Sequence, residues 1–203
     1  MNKNKSQKIS IKIWREGKTE EYYFKSLFGA TQLKNIKLEY KNLKNGNYKP
    51  IKTLLEKEKY YDKILIVIDL DRANNDRKQE LPNLKNLIRT IKKSKDIFLF
   101  LIYQNFEDWL RFHFVDRAKD SKKNFYAKLG KKSENDFKLN TKDLFSQIIN
   151  HGGKIEYAEN YFKSKYLFCD RKYNIVENNI DKLQSNLYYF RELLQNIDSS
   201  ITK

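Results

Sequence analysis

Four apolar runs punctuate the first half of the chain, and each stops at polar or acidic positions. Ile9 to Trp14 alternates apolar with polar residues and predicts a strand, and Ile36 to Leu43 predicts a second. Ile64 to Ile68 is unbroken Ile-Leu-Ile-Val-Ile, the mark of a strand buried on both faces, and Ile97 to Tyr103 predicts a fourth. Between these runs the apolar spacing changes to three and four. Tyr23, Phe24, Leu27 and Phe28 form the stripe of a helix that Thr19 is placed to cap. Ile51, Leu54 and Leu55 predict an inward face for a helix from Pro50 to Tyr61, and a further helix is predicted around Leu84 to Lys93. After the fourth strand, Phe106, Trp109, Leu110 and His113 share one face of a helix running from about Asn105 to Val115. Strand alternating with helix predicts an α/β fold: a mostly parallel sheet flanked by helices, joined by right-handed crossovers.

Beyond Asp116 the periodicity weakens. Residues 118–142 are basic and polar, punctuated by Phe125, Tyr126 and Phe137, and helices are predicted at about 141–150 and 175–197. This change of texture predicts an α/β core over residues 1–117 and a basic, mainly helical C-terminal extension over 118–203 packed on it.

Charge narrows the partners. The 203 residues carry 42 Lys and Arg against 26 Asp and Glu, a formal net charge of +16 that suits nucleic acid first. An AT-rich genome also enriches lysine and asparagine, so the surface needs a second argument. Cys169 is the only cysteine, which rules out an internal disulfide and a Cys-based zinc site. Met1 to Lys8 is basic without an apolar stretch, and no run approaches the ~20 apolar residues of a membrane span. A soluble cytoplasmic protein is expected. No Gly-rich phosphate loop with Lys-Ser/Thr is present, which argues against a nucleotide triphosphatase.

The candidate chemistry lies at the strand ends. Glu16 and Glu20 follow the first strand, Asp69 and Asp71 end the third, and Glu107 follows the fourth. In an open α/β sheet this is the rim where ligands collect. Alternation in an extended chain would turn Asp69 and Asp71 to one side, as an oxygen-seeking cation requires. Five carboxylates on one rim repel unless cations or protons compensate, so a Mg²⁺ or Mn²⁺ site is the economical reading, and such sites serve phosphodiester cleavage. Acids in a first helical turn are also favoured by the helix dipole, which leaves Glu20 and Glu107 open to a purely structural role. Of the lysines, Lys128, Lys131 and Lys132 are candidates to stabilise developing phosphate charge, with Lys128 placed first. Lys18, Arg72, Lys131 and Lys132 are candidate nucleic-acid contacts. His113, on an otherwise apolar face, reads as a hydrogen-bonded core residue, and His151 beside Gly152-Gly153 as a loop residue.

Glu16-Gly17-Lys18-Thr19-Glu20 followed by Tyr23-Phe24, then Asp69-Leu70-Asp71, then Asn105-Phe106-Glu107-Asp108-Trp109-Leu110 ending in His113-Phe114, resembles the RloB family. The resemblance covers about residues 9–116. It implies a topoisomerase–primase (Toprim) type fold related to the overcoming-lysogenization-defect nucleases. It places the Mg²⁺-organising roles on Glu16, Asp69 and Asp71, and adds Glu20 and Glu107 as further ligands. It also implies anti-phage defence by abortive infection beside a partner ATPase of the ABC/AAA type. The chain departs from the family by lacking a proline in the segment Gln104-Asn105-Phe106-Glu107, and the usual Pro-Ser-Thr segment near the C-terminus, of which Ser185-Asn186-Leu187-Tyr188 is at most a remnant.

Two functions follow as expectations. One is a Mg²⁺-dependent endonuclease acting on RNA, tRNA included, or on DNA, with Glu16 as base or ligand. The other is a non-catalytic basic subunit that docks on a partner ATPase or on nucleic acid.

Overall fold

β3 (Lys63–Asp69) is the best-buried strand of the chain, and its two faces divide the core. In the computed structural model, which describes residues 8–43, 48–58, 60–103, 105–165 and 185–200, it pairs on one side with β1 (Ile9–Arg15) and on the other with β4 (Ile97–Ile102). β2 (Ile36–Asn42) lies outside β1, so the sheet is parallel throughout, in the order β2-β1-β3-β4. Cys169 and residues 175–184 of the predicted final helix lie outside the described residues.

Alternation along β3 sends Ile64, Ile66 and Ile68 to one face and Leu65 and Val67 to the other. The first face packs on α2 (Tyr48–Lys57) and α4 (Glu80–Ile91) through Ile51, Leu55, Leu84 and Ile88. The second packs on α1 (Lys18–Thr31) and α5 (Phe106–Arg111) through Tyr23, Phe24, Phe106 and Trp109. The chain moves one way across the sheet from β1 to β2, with α1 on one face. It moves the other way from β2 to β3 to β4, with α2 and α4 on the opposite face. Right-handed crossovers require that switch of sides. The α/β class read from the pattern is therefore the class of the fold.

Three predicted boundaries shift, each for a local reason. Thr19 does not cap α1: Gly17 holds the N-cap position in extended conformation and Thr19 is already helical and buried. The capping falls to Glu20, whose carboxylate is stabilised by the backbone amides of Gly17 and of Glu20 itself, the reach-back of an acid at the third helical position. Between β3 and the short α3 (Asp71–Asn75), Leu70 adopts helical angles, so the extended alternation expected to align Asp69 with Asp71 ends one residue early. α5 is capped by Asn105, whose side chain accepts from the Asp108 amide at 3.2 Å, but closes at Arg111 rather than Val115. The amides of Phe112, His113 and Phe114 bond carbonyls three residues back, so the expected helix finishes as a tightened turn.

The basic stretch after Asp116 folds into α6 (Lys122–Lys128) and α7 (Glu134–Leu139), each begun by a serine whose hydroxyl accepts from the amide three residues on. α8 (Leu144–Asn150), α9 (Ile155–Lys165) and α10 (Phe190–Ser199) follow, and α9 had no counterpart among the sequence expectations. Phe125, Phe137, Ile148, Phe162 and Phe190 join Leu65, Val67 and Phe100 in a single apolar cluster, so the C-terminal helices complete the core over one sheet face.

β4 is an edge strand, and unpaired edges invite association. Here the edge is covered by Ser185 and Asn186. The Asn186 carboxamide accepts from the Leu101 amide at 2.6 Å and donates to the Leu99 carbonyl at 2.9 Å, while the Ser185 hydroxyl donates to the Leu101 carbonyl at 2.9 Å. One side chain thus stands in for a strand residue. Asn186→Ala strips two buried backbone groups of their partners and is expected to cost about 2–4 kcal/mol in urea unfolding, with increased self-association of the exposed edge. Ser185→Ala should cost about 1 kcal/mol.

Candidate functional site

The strand order reverses direction between β1 and β3. At such a switch point the connections leave for opposite faces and open a crevice at the carboxyl ends of the strands. Glu16 leaves β1 there, and Asp69 ends β3 beside it. The Asp69 amide donates to Glu16 Oε1 at 3.0 Å, so a carboxylate closes the gap between the two strands. The Tyr48 hydroxyl donates to the Asp69 carbonyl at 3.0 Å and accepts the Ala73 amide at 3.3 Å. Tyr48 thereby ties the start of α2 to the end of β3 and the start of α3. Nothing in its sequence setting marked it.

Burial dominates the electrostatics of this rim. It pushes the Glu16 carboxyl up to about 7, with the charges of Asp71 and Glu20 adding to the shift and the Asp69 amide opposing it. Burial, then the charges of Glu16, Glu20, Asp71 and Glu107, hold the Asp69 carboxyl well above the usual range. Asp69 Oδ1 is buried with no hydrogen-bond partner. Glu20, 6% exposed, is raised by burial and by Glu107, and lowered by its amides and by Arg15. A Cβ on Gly17 would lie 2.6 Å from Glu20 Oε2, so any larger residue there makes the Glu20 carboxylate shift, although a φ of −122° is open to any residue. The five predicted acids therefore share one field, as their strand ends imply.

Sharing a field is not yet coordination. Among the described residues, no three acidic, histidine or cysteine side chains stand close enough together to hold a metal ion. Four of the five carboxylates lean on local partners instead. Glu16 takes the Asp69 amide, Asp71 takes the Arg72 amide at 2.6 Å, Glu20 takes its helix amides, and Glu107 lies 3.8 Å from the Lys122 ammonium. The donor set is nevertheless all oxygen, as Mg²⁺ or Mn²⁺ prefers, and the orphaned Asp69 Oδ1 is the atom that lacks a positive partner.

Cations complete the picture in a way the sequence did not single out. Lys122 on α6 pairs with Glu107. The Lys138 ammonium on α7, bonded to Glu134 at 2.5 Å, is held in its charged form by Glu134, Glu107 and Glu20. Arg15, 6% exposed, pairs with Glu21 and feels Glu20, while its Nε and one terminal nitrogen are buried without a hydrogen-bond partner. Lys128, the first-placed lysine, pairs instead with Asp116 at 2.9 Å. Lys131 and Lys132 occupy the turn before α7, where the Lys132 amide donates to Asp136 at 2.8 Å. Lys18 is exposed at the start of α1, and the Arg72 charge acts on Glu16. Lys122 and Lys138 were hidden in a segment without clear periodicity; the only available signal was the serine cap before each short helix.

The histidines sit as their settings predicted. His113 is fully buried, with Nε2 2.8 Å from the Tyr23 hydroxyl, and burial pushes its pKa down to about 4. His151 is exposed in the turn after α8.

A parallel α/β sheet with a half-buried acidic rim at its switch point defines the class of the protein. Its family follows from the whole chain: a model of RloB-like proteins matches residues 11–196, and the chain belongs to that family. The match runs through the C-terminal helices as well as the sheet. Neither a curated protein nor a solved structure matches the chain. Among the described residues, no helix is long and apolar enough to cross a membrane.

The raised carboxyls make stability depend on pH with a definite sign. A carboxyl whose folded pKa lies above its unfolded value binds its proton more tightly when folded. Its contribution is thus complete below the unfolded value and lost as pH rises through the folded one. For Glu16 the window runs from 4.5 to about 7, and Asp69 and Glu20 act in the same direction. In buffer with a chelator the protein is therefore expected to lose stability across that window, by on the order of 3 kcal/mol for Glu16. Glu16→Gln should flatten the loss in thermal melts recorded from pH 4.5 to 8.

Proposed function

We propose that the protein is a Toprim-type nuclease that requires Mg²⁺ or Mn²⁺, cleaves RNA or DNA phosphodiesters, and serves in anti-phage defence by abortive infection. The observation that carries this reading is the buried Asp69 Oδ1 without a partner, set among carboxyls that burial and mutual repulsion push upward. Such groups call for an added positive charge. Glu20, Asp69, Asp71 and Glu107 are the residues that would hold a cation, with Glu16 beside them. The cation, when bound, supplies charge neutralisation at the phosphate and a water of lowered pKa.

The chain's own groups have separate tasks. Glu16, with its carboxyl near neutrality, is suited to take a proton from the attacking water. Lys122, paired with Glu107, and Lys138, whose charge feels Glu107 and Glu20, would oppose charge developing on the phosphate oxygens. The net charge of +16 favours a polyanionic substrate. Family membership supports the defence role and a partner ATPase of the ABC/AAA type.

The test is cleavage of labelled tRNA, single-stranded RNA and DNA by the purified chain with Mg²⁺ or Mn²⁺. Asp69→Ala combined with Asp71→Ala should lower the rate by about 100-fold or more, with the metal-free melting temperature kept. Cleavage that survives the double change removes these residues from the chemistry. Gly17→Ala, whose Cβ obliges the Glu20 carboxylate to shift, should lower the metal-dependent rate about 10-fold.

A second reading is favoured by the local pairing of the rim carboxylates other than Asp69: a non-catalytic subunit that docks on a partner ATPase or nucleic acid. Binding to either partner without cleavage under any metal condition, with the ATPase present, would establish it.

A further inference from the structure

At the far end of α5 from Glu107, an open cleft of about 390 Å³ separates the turn 112–120 from α9. Its walls are largely aromatic: Phe112, Phe114, Tyr157 and Tyr161, with Val115 at the mouth. Val115 is 64% exposed, one of few large apolar side chains left in water among the described residues. Tyr157 and Tyr161, four apart, share one face of α9, and the opposite face buries Ile155, Ala158 and Phe162. Phe112 stacks on Tyr161 with centroids 4.0 Å apart and planes 18° apart. The cleft is held open by structure. The Lys154 amide donates to the His113 carbonyl at 2.8 Å, and Phe162 packs edge-on against both Phe112 and Tyr161.

Cations frame these rings. Lys119 lines the cleft beside Asp120, Lys154 lies 5.6 Å from the Tyr157 ring, and Lys165 lies 4.3 Å from the Tyr161 ring. The adjoining segment 117–132 carries Arg117, Lys119, Lys122, Lys123, Lys128, Lys131 and Lys132 against Asp120 alone among acids. Lys122 connects this basic ledge to the acidic rim through Glu107. Flat π-faces beside a lysine track are the chemistry of single-stranded nucleic acid, whose bases are free to stack while its phosphates follow the charge. A duplex offers only its phosphates to such a surface, because its bases are already stacked.

We infer that the cleft between residues 112–120 and α9 is a binding site for an unpaired nucleobase, which directs the protein to single-stranded nucleic acid with its backbone on the 117–132 ledge. The inference rests on the nuclease reading for its biological use, and not for its binding chemistry. Tyr157 is the principal stacking surface, since Tyr161 is already engaged by Phe112. Lys119 pairs with the phosphate next to the bound base.

The test is fluorescence anisotropy of labelled oligonucleotides of about 12 nucleotides with the full chain and a chelator present, so that no strand is cut. Single-stranded RNA and DNA arms compare the sugars, an abasic strand removes the bases, and a duplex hides them. The single strands should bind about tenfold or more tighter than the abasic strand. Tyr157→Leu, which keeps an apolar side chain but no ring, should weaken single-strand binding about 5- to 100-fold, and Tyr157→Phe should retain it. Lys119→Ala should lower the log–log salt slope by about 0.7. Equal affinity for the abasic strand or the duplex, or indifference to Tyr157→Leu, overturns the inference. A chain that binds this way yet cuts nothing with metal keeps the inference and fails the nuclease reading. A chain that cuts with Tyr157→Leu unchanged in affinity does the reverse.

Discussion

The bond from the Asp69 amide to the Glu16 carboxylate joins β1 to β3 just beyond the last residues these two strands pair. β1 and β3 are the central strands, and their connections depart to opposite faces immediately beyond these two residues. Some group must satisfy the backbone there, and a buried carboxylate does so. The same choice creates the site. A carboxylate drawn into the interior to meet one amide becomes hard to ionise, and Asp69 beside it becomes harder still. Tyr48 then braces the Asp69 carbonyl from the other face, so helices on both sides of the sheet bear on this junction.

Repulsion among the acids is handled piecemeal. Amides at the starts of α1 and α3 take up Glu20 and Asp71, and Lys122 stands against Glu107. What remains is Asp69 Oδ1, buried and unpartnered. A rim arranged in this way keeps its acids close without folding them onto one another, and one added cation would meet the group that local partners leave out. Asp69 therefore carries more weight in the proposed chemistry than the exposed Asp71, although the two look equivalent in Asp69-Leu70-Asp71.

The C-terminal helices belong to the sheet more than their texture suggests. Their aromatic residues fill the core over one face, and Ser185-Asn186 seals the β4 edge. Ser185 and Asn186 thus have an architectural task in this chain. The same helices set Lys122 and Lys138 against the rim and build the aromatic cleft at the far end of α5. Charge and core arrive together from one segment.

What the residues determined by themselves was local and repetitive. The strands, α1 and the parallel order follow from runs such as Ile64–Ile68, because a strand buried on both faces tolerates only apolar side chains. The acids at the strand ends were legible for the same reason: polarity beginning abruptly after such a run marks the rim. Asn105 as a cap and His113 as a core residue were legible as well. Tertiary structure decided whatever depends on partners distant in the chain. It turned Leu70 into a helical residue, gave the capping of α1 to Glu20 instead of Thr19, and paired Lys128 with Asp116. It also brought Tyr48 to Asp69 across 21 positions and Asn186 to Leu101 across 85. A side chain's type fixes what it can bond, but only the packed fold decides which of many equivalent partners is within reach, and that choice sets Lys122 against Glu107 and Lys128 against Asp116.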